Sequence, residues 1–323
     1  MVTMRAVTVD RYGLPDVARV VEVPRPSPRQ DEVLVRVVAA AVTSGDARIR
    51  GARFPSGFAL PARVVFGLRG PRRRILGMVF SGVIEQVGPG VANLAPGLAV
   101  CGMTGISMGA HAEYVCVAAR RVAAVPSGVS HSDAAGLLFG GSTALYFLRD
   151  KASVRPGTRV LVNGASGAVG SNAVQLARHF GAAVTGVTSA GNADFVRRLG
   201  AGRVIDYAID DITNAPERFD VVFDAVGNLS MASGRRLLRD GGVLVLAVAS
   251  LWDTLRARRG VVAGSGPERA ADFEWLLQLV AANELTVVVD RTFPLDHIVD
   301  AYRLVDSGHK RGNVIVRPLP PVC

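Results

Sequence analysis

The sequence is poor in cysteine. Its three residues, Cys101, Cys116 and Cys323, are too few and too scattered for a disulfide framework or a cysteine-rich metal cluster. Lysine is almost missing as well: Lys151 and Lys310 are the only two among 37 basic residues, so the positive charge is carried by arginine. No apolar run reaches the ~18 residues that a membrane-spanning helix requires. The most apolar piece, residues 134–148, is short and broken by Gly136, Gly140 and Gly141. No membrane partner is therefore expected. The first ten residues alternate like a strand and lack the basic-then-apolar order of a secretory leader, so the cytoplasm is the expected compartment. Aromatic residues make up 6% of the chain, and none interleaves with the arginine clusters at 69–74 and 256–259. Those clusters read as solvated loop charge, and nucleic acid is not an expected partner.

What is present is an ordinary core-forming composition, 49% hydrophobic, in a length that suits two domains. The net charge of +10 favours anionic ligands such as phosphates and carboxylates. Residues 1–125 read as β-rich. Strands are expected at 20–23, 33–38, 82–87, 99–101 and 112–117. Pro24, Pro26 and Pro28, then Gly88, Gly90 and Gly97, punctuate them. Many short strands without a helical repeat suggest a small barrel. From 126 to 285 the period changes. Strands at 159–163, 183–188, 203–205, 220–223 and 242–248 alternate with helical stretches, one marked by Val169, Ala173, Leu176, Ala177 and Phe180, another capped by Asn192. That alternation implies a doubly wound parallel sheet. Residues 286–323, with strands at 287–289 and 313–317 around a helix at 295–305, are too short to fold alone and should pack back on the first zone. The fold class is α/β: a β-barrel domain, 1–125 with 286–323, plus a Rossmann-type domain, 126–285.

The sharpest motif is Asn163-Gly164-Ala165-Ser166-Gly167-Ala168-Val169-Gly170, which follows a buried strand and opens a helix. Glycines let the backbone turn tightly and approach a pyrophosphate, while the free N–H groups of the helix start face that anion. The next strand ends Val187-Thr188-Ser189-Ala190, with no carboxylate to hold a ribose 2′-hydroxyl. A 2′-phosphate meets no repulsion there, and Ser189 and Tyr207 can donate hydrogen bonds to it. The expected cofactor is NADPH.

The order of segments 39–51, 77–90, 111–115, 141–145, 163–170, 199–207, 220–227 and 308–316 resembles the zinc-independent medium-chain dehydrogenases/reductases. It is similar to their quinone oxidoreductase branch, and within that to the subgroup around the reticulon-interacting mitochondrial reductase. The resemblance implies a chaperonin-10-like barrel and a Rossmann domain with the active site in the cleft between them. It places Thr143 beside the nicotinamide and Asp46 near the cleft, as the candidate catalytic residues. Ser166, Ala168 and Val169 line the pyrophosphate and nicotinamide ribose, and Asp224, Val226 and Gly227 flank the adenine side or the crevice at the fourth strand. Thr188 and Ser189 follow at the second strand. A homodimer joined by sheet edges, with 260–264 as the edge strand, is also implied. Zinc-dependent relatives carry a cysteine in the segment matching Val42 to Asp46 and a Gly-His-Glu at the segment matching Gly77-Met78-Val79; this chain has neither. His111 is isolated and reads as structural, and no metal is expected. Without a Lewis acid, the acceptor must delocalise charge itself, as a quinone or α,β-unsaturated carbonyl does. Two other readings stand beside this one: a non-catalytic NADPH-binding redox sensor or stress protein, and a zinc-free reductase of carbonyls or enoyl thioesters. Thr43-Ser44 in place of the family's Asn-Pro, Val79 in place of an acid, and no tyrosine at 50–54 keep them open.

Overall fold

The computed structural model describes residues 2–214 and 216–319; Cys323 and the end of the 286–323 segment lie outside them. The N-terminal strands are β1 (Thr3–Val9), β2 (Ala18–Pro24), β3 (Glu32–Ala41), β4 (Val79–Val87), β5 (Ala99–Met103), β6 (Tyr114–Ala118) and β7 (Val122–Ala124). Two short helices interrupt them, α1 (Ser44–Gly51) and α2 (Ala59–Phe66). Neither was signalled by a helical repeat, because α1 is mostly polar and α2 carries Pro61. A third helix, α3 (His131–Leu145), follows and is buried nearly all round. An all-round apolar helix has no polar stripe to reveal its period.

The chain then alternates: β8 (Arg159–Asn163), α4 (Ala168–His179), β9 (Ala183–Thr188), α5 (Ala193–Arg198), β10 (Arg203–Asp206), β11 (Phe219–Asp224), α6 (Met231–Arg236), β12 (Leu238–Leu246), α7 (Leu251–Arg256), β13 (Val261–Ala263) and α8 (Ala270–Ala281). These strands form a six-stranded sheet in the order β10-β9-β8-β11-β12-β13, parallel throughout. Both faces are covered. Val160, Val162, Val221, Phe223 and Val245 enter one core, while Leu161, Val222, Leu244 and Leu246 enter another. That alternation on every strand is what a doubly wound sheet demands. The strand order reverses between β8 and β11, so their C-terminal ends open a crevice there.

The chain closes with β14 (Val289–Pro294), α9 (Ile298–Asp306) and β15 (Asn313–Arg317). β15 pairs with β3, so the last segment completes a seven-stranded sheet, β14-β15-β3-β4-β5-β7, with β6 also on β3. The ribbon of β1 and β2 attaches through single bridges, Ala6 to Ala112 and Thr8 to Ile75. Ribbon, sheet, α1 and α9 enclose one core around Phe80, Ile84 and Tyr302. The expected strand at 287–289 is displaced to Val289–Pro294: β14 is a half-exposed edge strand whose Asp290 and Arg291 hide the apolar pattern, and Pro294 is tolerated at its end.

Candidate functional site: a glycine turn at the sheet crevice

β8 delivers Asn163 to the crevice. Its amide donates to Asp224 Oδ1 (2.9 Å) and Asn228 Oδ1 (2.6 Å), tying the ends of β8 and β11 together. The Asp224 carboxylate is fully buried and also accepts from the N–H groups of Val226, Gly227 and Leu229 at 2.9–3.1 Å. Its oxygens are thereby committed. Asp224 thus shapes the 225–229 turn at the crevice, its carboxylate engaged by the protein's own donors. Gly227, at φ +87°, makes that turn, and Val226 is presented at its tip, 47% exposed.

The glycine turn packs against this tip. A Cβ on Gly164, whose φ is +79°, would sit 2.6 Å from Val226 Cγ2. A Cβ on Gly170 would sit 2.1 Å from the Gly164 carbonyl oxygen, so α4 leaves the turn closer than any side chain permits. Gly167 is different. Its φ of −78° suits any residue, and a Cβ there would touch nothing closer than 3.5 Å. The space beside Gly167 is therefore open, and a longer side chain would project into it. The first N–H groups of α4, from Ala168, Val169 and Gly170, have no intrahelical acceptor, and no side chain caps them. Such a helix start offers donors and a partial positive charge to an anion. Ala165 is fully buried, with its N–H on the Val187 carbonyl (3.0 Å), so it supplies shape to the turn and not a ligand contact.

Thr188, at the end of β9, donates to Ser166 Oγ (3.0 Å) and fixes the outer turn. Ser189 accepts from Asn192 Nδ2 (3.3 Å), so Asn192 stands at the start of α5 without capping it by its side chain, contrary to expectation. Tyr207 lies beside them, its N–H on the Thr188 carbonyl and its ring 58% exposed. Sequence reasoning missed two cations here. The 308–312 loop crosses the turn: Gly312 N donates to Ser166 O (2.8 Å), and Arg311 Nη2 donates to Gly191 O (2.9 Å). Lys310 donates to the Gly312 carbonyl, and burial pushes its ammonium down to about 8. These residues arrive from the far end of the chain, where no spacing links them to the glycine turn. The only signal was the rarity of lysine.

Thr143 lies three residues after Gly140, where α3 presses on α4 so closely that a Cβ would sit 2.3 Å from the Ala168 carbonyl. Its hydroxyl donates to Phe139 O (2.7 Å) and so retains only lone pairs for a further partner. Asp46 is placed otherwise. It is fully buried, and its Oδ2 accepts from both N and Oγ1 of Thr43 while its own N–H returns to Thr43 Oγ1 (3.1 Å). This capping box starts α1 and uses Oδ2, while Asp46 Oδ1 is buried without a partner among the described residues. Behind it, His111 is fully buried with Nε2 on the Ala41 carbonyl (3.1 Å) and Nδ1 3.3 Å from the Tyr302 hydroxyl. A carbonyl only accepts, so Nε2 carries the proton and Tyr302 donates to Nδ1. Among the described residues no three histidine, cysteine or acidic side chains gather as metal ligands. Burial raises the Cys101 thiol to about 12, which leaves it protonated and inert at neutral pH.

A family model described as the alcohol dehydrogenase GroES-like domain matches residues 29–127, and one described as zinc-binding dehydrogenase matches 199–316. The chain is 31% identical to the 2-methylene-furan-3-one reductase of Solanum lycopersicum, over 98% of this chain and 80% of that one. It is 28% identical to the mitochondrial NAD(P)H oxidoreductase RTN4IP1 of Mus musculus, over 97% and 89% respectively. Among solved structures, the quinone oxidoreductase from Coxiella burnetii superposes with a TM-score of 0.88 at 28% identity, covering 98% of this chain and all of that one.

Proposed function

The chain belongs to the quinone oxidoreductase-like branch of the medium-chain dehydrogenases/reductases, and from that premise we propose that it passes hydride from NADPH to a quinone or an α,β-unsaturated carbonyl without a metal. The observation that carries this reading is the uncapped start of α4 beside the space at Gly167. In it, residues 126–285 hold the dinucleotide, and 1–125 with 286–323 form the acceptor side of the cleft. The N–H groups of Ala168, Val169 and Gly170 hold the pyrophosphate. Ser189, Tyr207 and Arg311 would hold a 2′-phosphate, and no carboxylate ends β9, which supports NADPH over NADH. Thr143 Oγ1 is left to accept from a carboxamide and so orients the nicotinamide. The nicotinamide supplies the hydride when bound.

Support for metal-free chemistry comes from residue types. Gly77, Met78 and Val79 carry no strong ligand, and Thr43 and Ser44 stand where a thiolate would be needed. A conjugated acceptor spreads the charge it receives, so the protein has only to bind, orient and exclude water, with solvent supplying the proton. In the same reading β13, which ends the parallel sheet, joins a second copy edge to edge. The test is NADPH oxidation against a panel of quinones and enones, with NADH in parallel. Acceptor-dependent oxidation, with kcat/KM about tenfold or more in favour of NADPH, is expected. Tight NADPH binding with no turnover on any acceptor would overturn the enzymatic reading.

A further inference from the structure

α2 is apolar, yet almost nothing packs on it. It buries Ala62 and stacks Phe66 on Phe54. Leu60, Val64 and Val65 are left 72%, 56% and 53% exposed, and Leu68, just past its end, 64%. α7 repeats the pattern, with Trp252 and Leu255 both 61% exposed. The two helices leave one junction: Leu251 N donates to Ser56 O (2.9 Å), and a Cβ on Gly57 would strike Leu251. Exposed apolar side chains grouped on two helices joined in this way mark a docking site.

The rim of the strip is cationic. Arg69, Arg72 and Arg73 follow α2, and Arg256, Arg258 and Arg259 lie at and beyond the end of α7. All six are exposed, and none makes a salt bridge among the described residues. Arg72 N donates to the Phe66 carbonyl (2.6 Å), so the arginine run begins where α2 stops. It lines a groove of about 550 Å³, in which Arg72, Arg73 and Arg74 meet Val21, Val23 and Ile75. Asp10 is the one carboxylate in that groove, and it pairs with Arg74 at 3.4 Å.

We propose that this strip seats the protein on an anionic lipid bilayer. The apolar side chains of α2 and α7 enter the acyl boundary, the arginines meet headgroup phosphates, and the groove receives one phosphodiester headgroup. Charge selects this occupant. A second copy seated on α2 would bring two arginine runs at 69–73 together, and a nucleic acid would leave Leu60, Val64 and Leu68 in water. Trp252 is the side chain expected at such an interface. The inference revises the expectation of no membrane partner, which rested on spanning segments; among the described residues no helix is long and apolar enough to span. It does not depend on the oxidoreductase reading.

Flotation of the full chain with phosphatidylcholine vesicles, with and without one third phosphatidylglycerol, tests it. Binding to the anionic vesicles is expected to exceed binding to the neutral ones about tenfold and to weaken in high salt. Trp252 and Trp275 are the only tryptophans, and Trp275 stacks on Phe180. A blue shift of emission on binding therefore reports Trp252, and Trp252→Phe should remove it. The pair Val64→Glu with Leu68→Glu, and separately Arg72→Gln with Arg73→Gln, should each weaken binding about tenfold with unchanged circular dichroism. Equal binding to both vesicles, no binding to either, or full binding by both double variants would overturn the proposal. So would dimers dissolved by Val64→Glu, or retention on RNA without vesicle binding.

Discussion

The glycine turn and the floor of the barrel make opposite use of polar groups. At the turn, the N–H groups of Ala168, Val169 and Gly170 stay unpaired beside open space at Gly167. At the floor, Thr43, Asp46, His111 and Tyr302 answer one another with hydrogen bonds, and Arg50, fully buried, is held by Asp306 at 2.5 Å with Tyr302 beneath it. The binding region leaves backbone donors free, whereas the supporting region spends most of its polar atoms on one another, with Asp46 Oδ1 and Arg50 Nε buried without a partner among the described residues. The family resemblance singled out Asp46 and Asp224, and in the fold both carboxylates are buried and build a cap or a turn.

The comparison breaks if a change in one region behaves like a change in the other. The largest effect is expected from Arg50→Met, which removes a fully buried guanidinium from Asp306 and from the Gly13 carbonyl and leaves the carboxylate to Arg53 alone. It should lower stability by about 3 kcal/mol in chemical denaturation, with nucleotide affinity unchanged once folded. Gly167→Val should do the reverse: nucleotide affinity falls about a hundredfold, roughly 2.7 kcal/mol, with little change in Tm. A large loss of stability there would make Gly167 structural. Arg311→Gln sharpens the division within the binding region. It should raise the KM for NADPH about tenfold and leave the KM for NADH almost unchanged. Tyr302→Phe, which removes one buried hydrogen bond, should lower stability by about 1 kcal/mol without altering the nucleotide KM.

Lys310 gives the smallest and most specific signal. Its ammonium lies near 8, below its ordinary 10.5, so between those values the unfolded chain binds more protons than the folded one. Stability therefore gains a contribution as pH rises through that window, and the contribution is missing below it. Tm measured from pH 7 to 10 should rise relative to Lys310→Met across that range. Parallel curves would contradict the burial of this group.

How far each region could be read from sequence follows from how it is assembled. β8, β9 and β15 were legible to the residue, because each is a short apolar run bounded by turn residues. The glycine turn was legible for the same reason: strand, turn and helix start are contiguous. The barrel floor brings together residues 43–46, 111 and 302, and the cations at 310–311 reach the turn from another sheet. Nothing local encodes those meetings. The resemblance that singled out Asp46 and Asp224 could not show that their carboxylates build a cap and a turn, since such a carboxylate has the same spelling as one that meets a ligand. α3 escaped because it is apolar on every side, and α2 because it is short and carries Pro61.

The most direct test of metal-free hydride transfer at the glycine turn is NADPH oxidation by a soluble quinone after exhaustive dialysis against a chelator. The account predicts turnover equal to that of undialysed protein and unaltered by added zinc. Turnover lost on chelation and restored by zinc would contradict it.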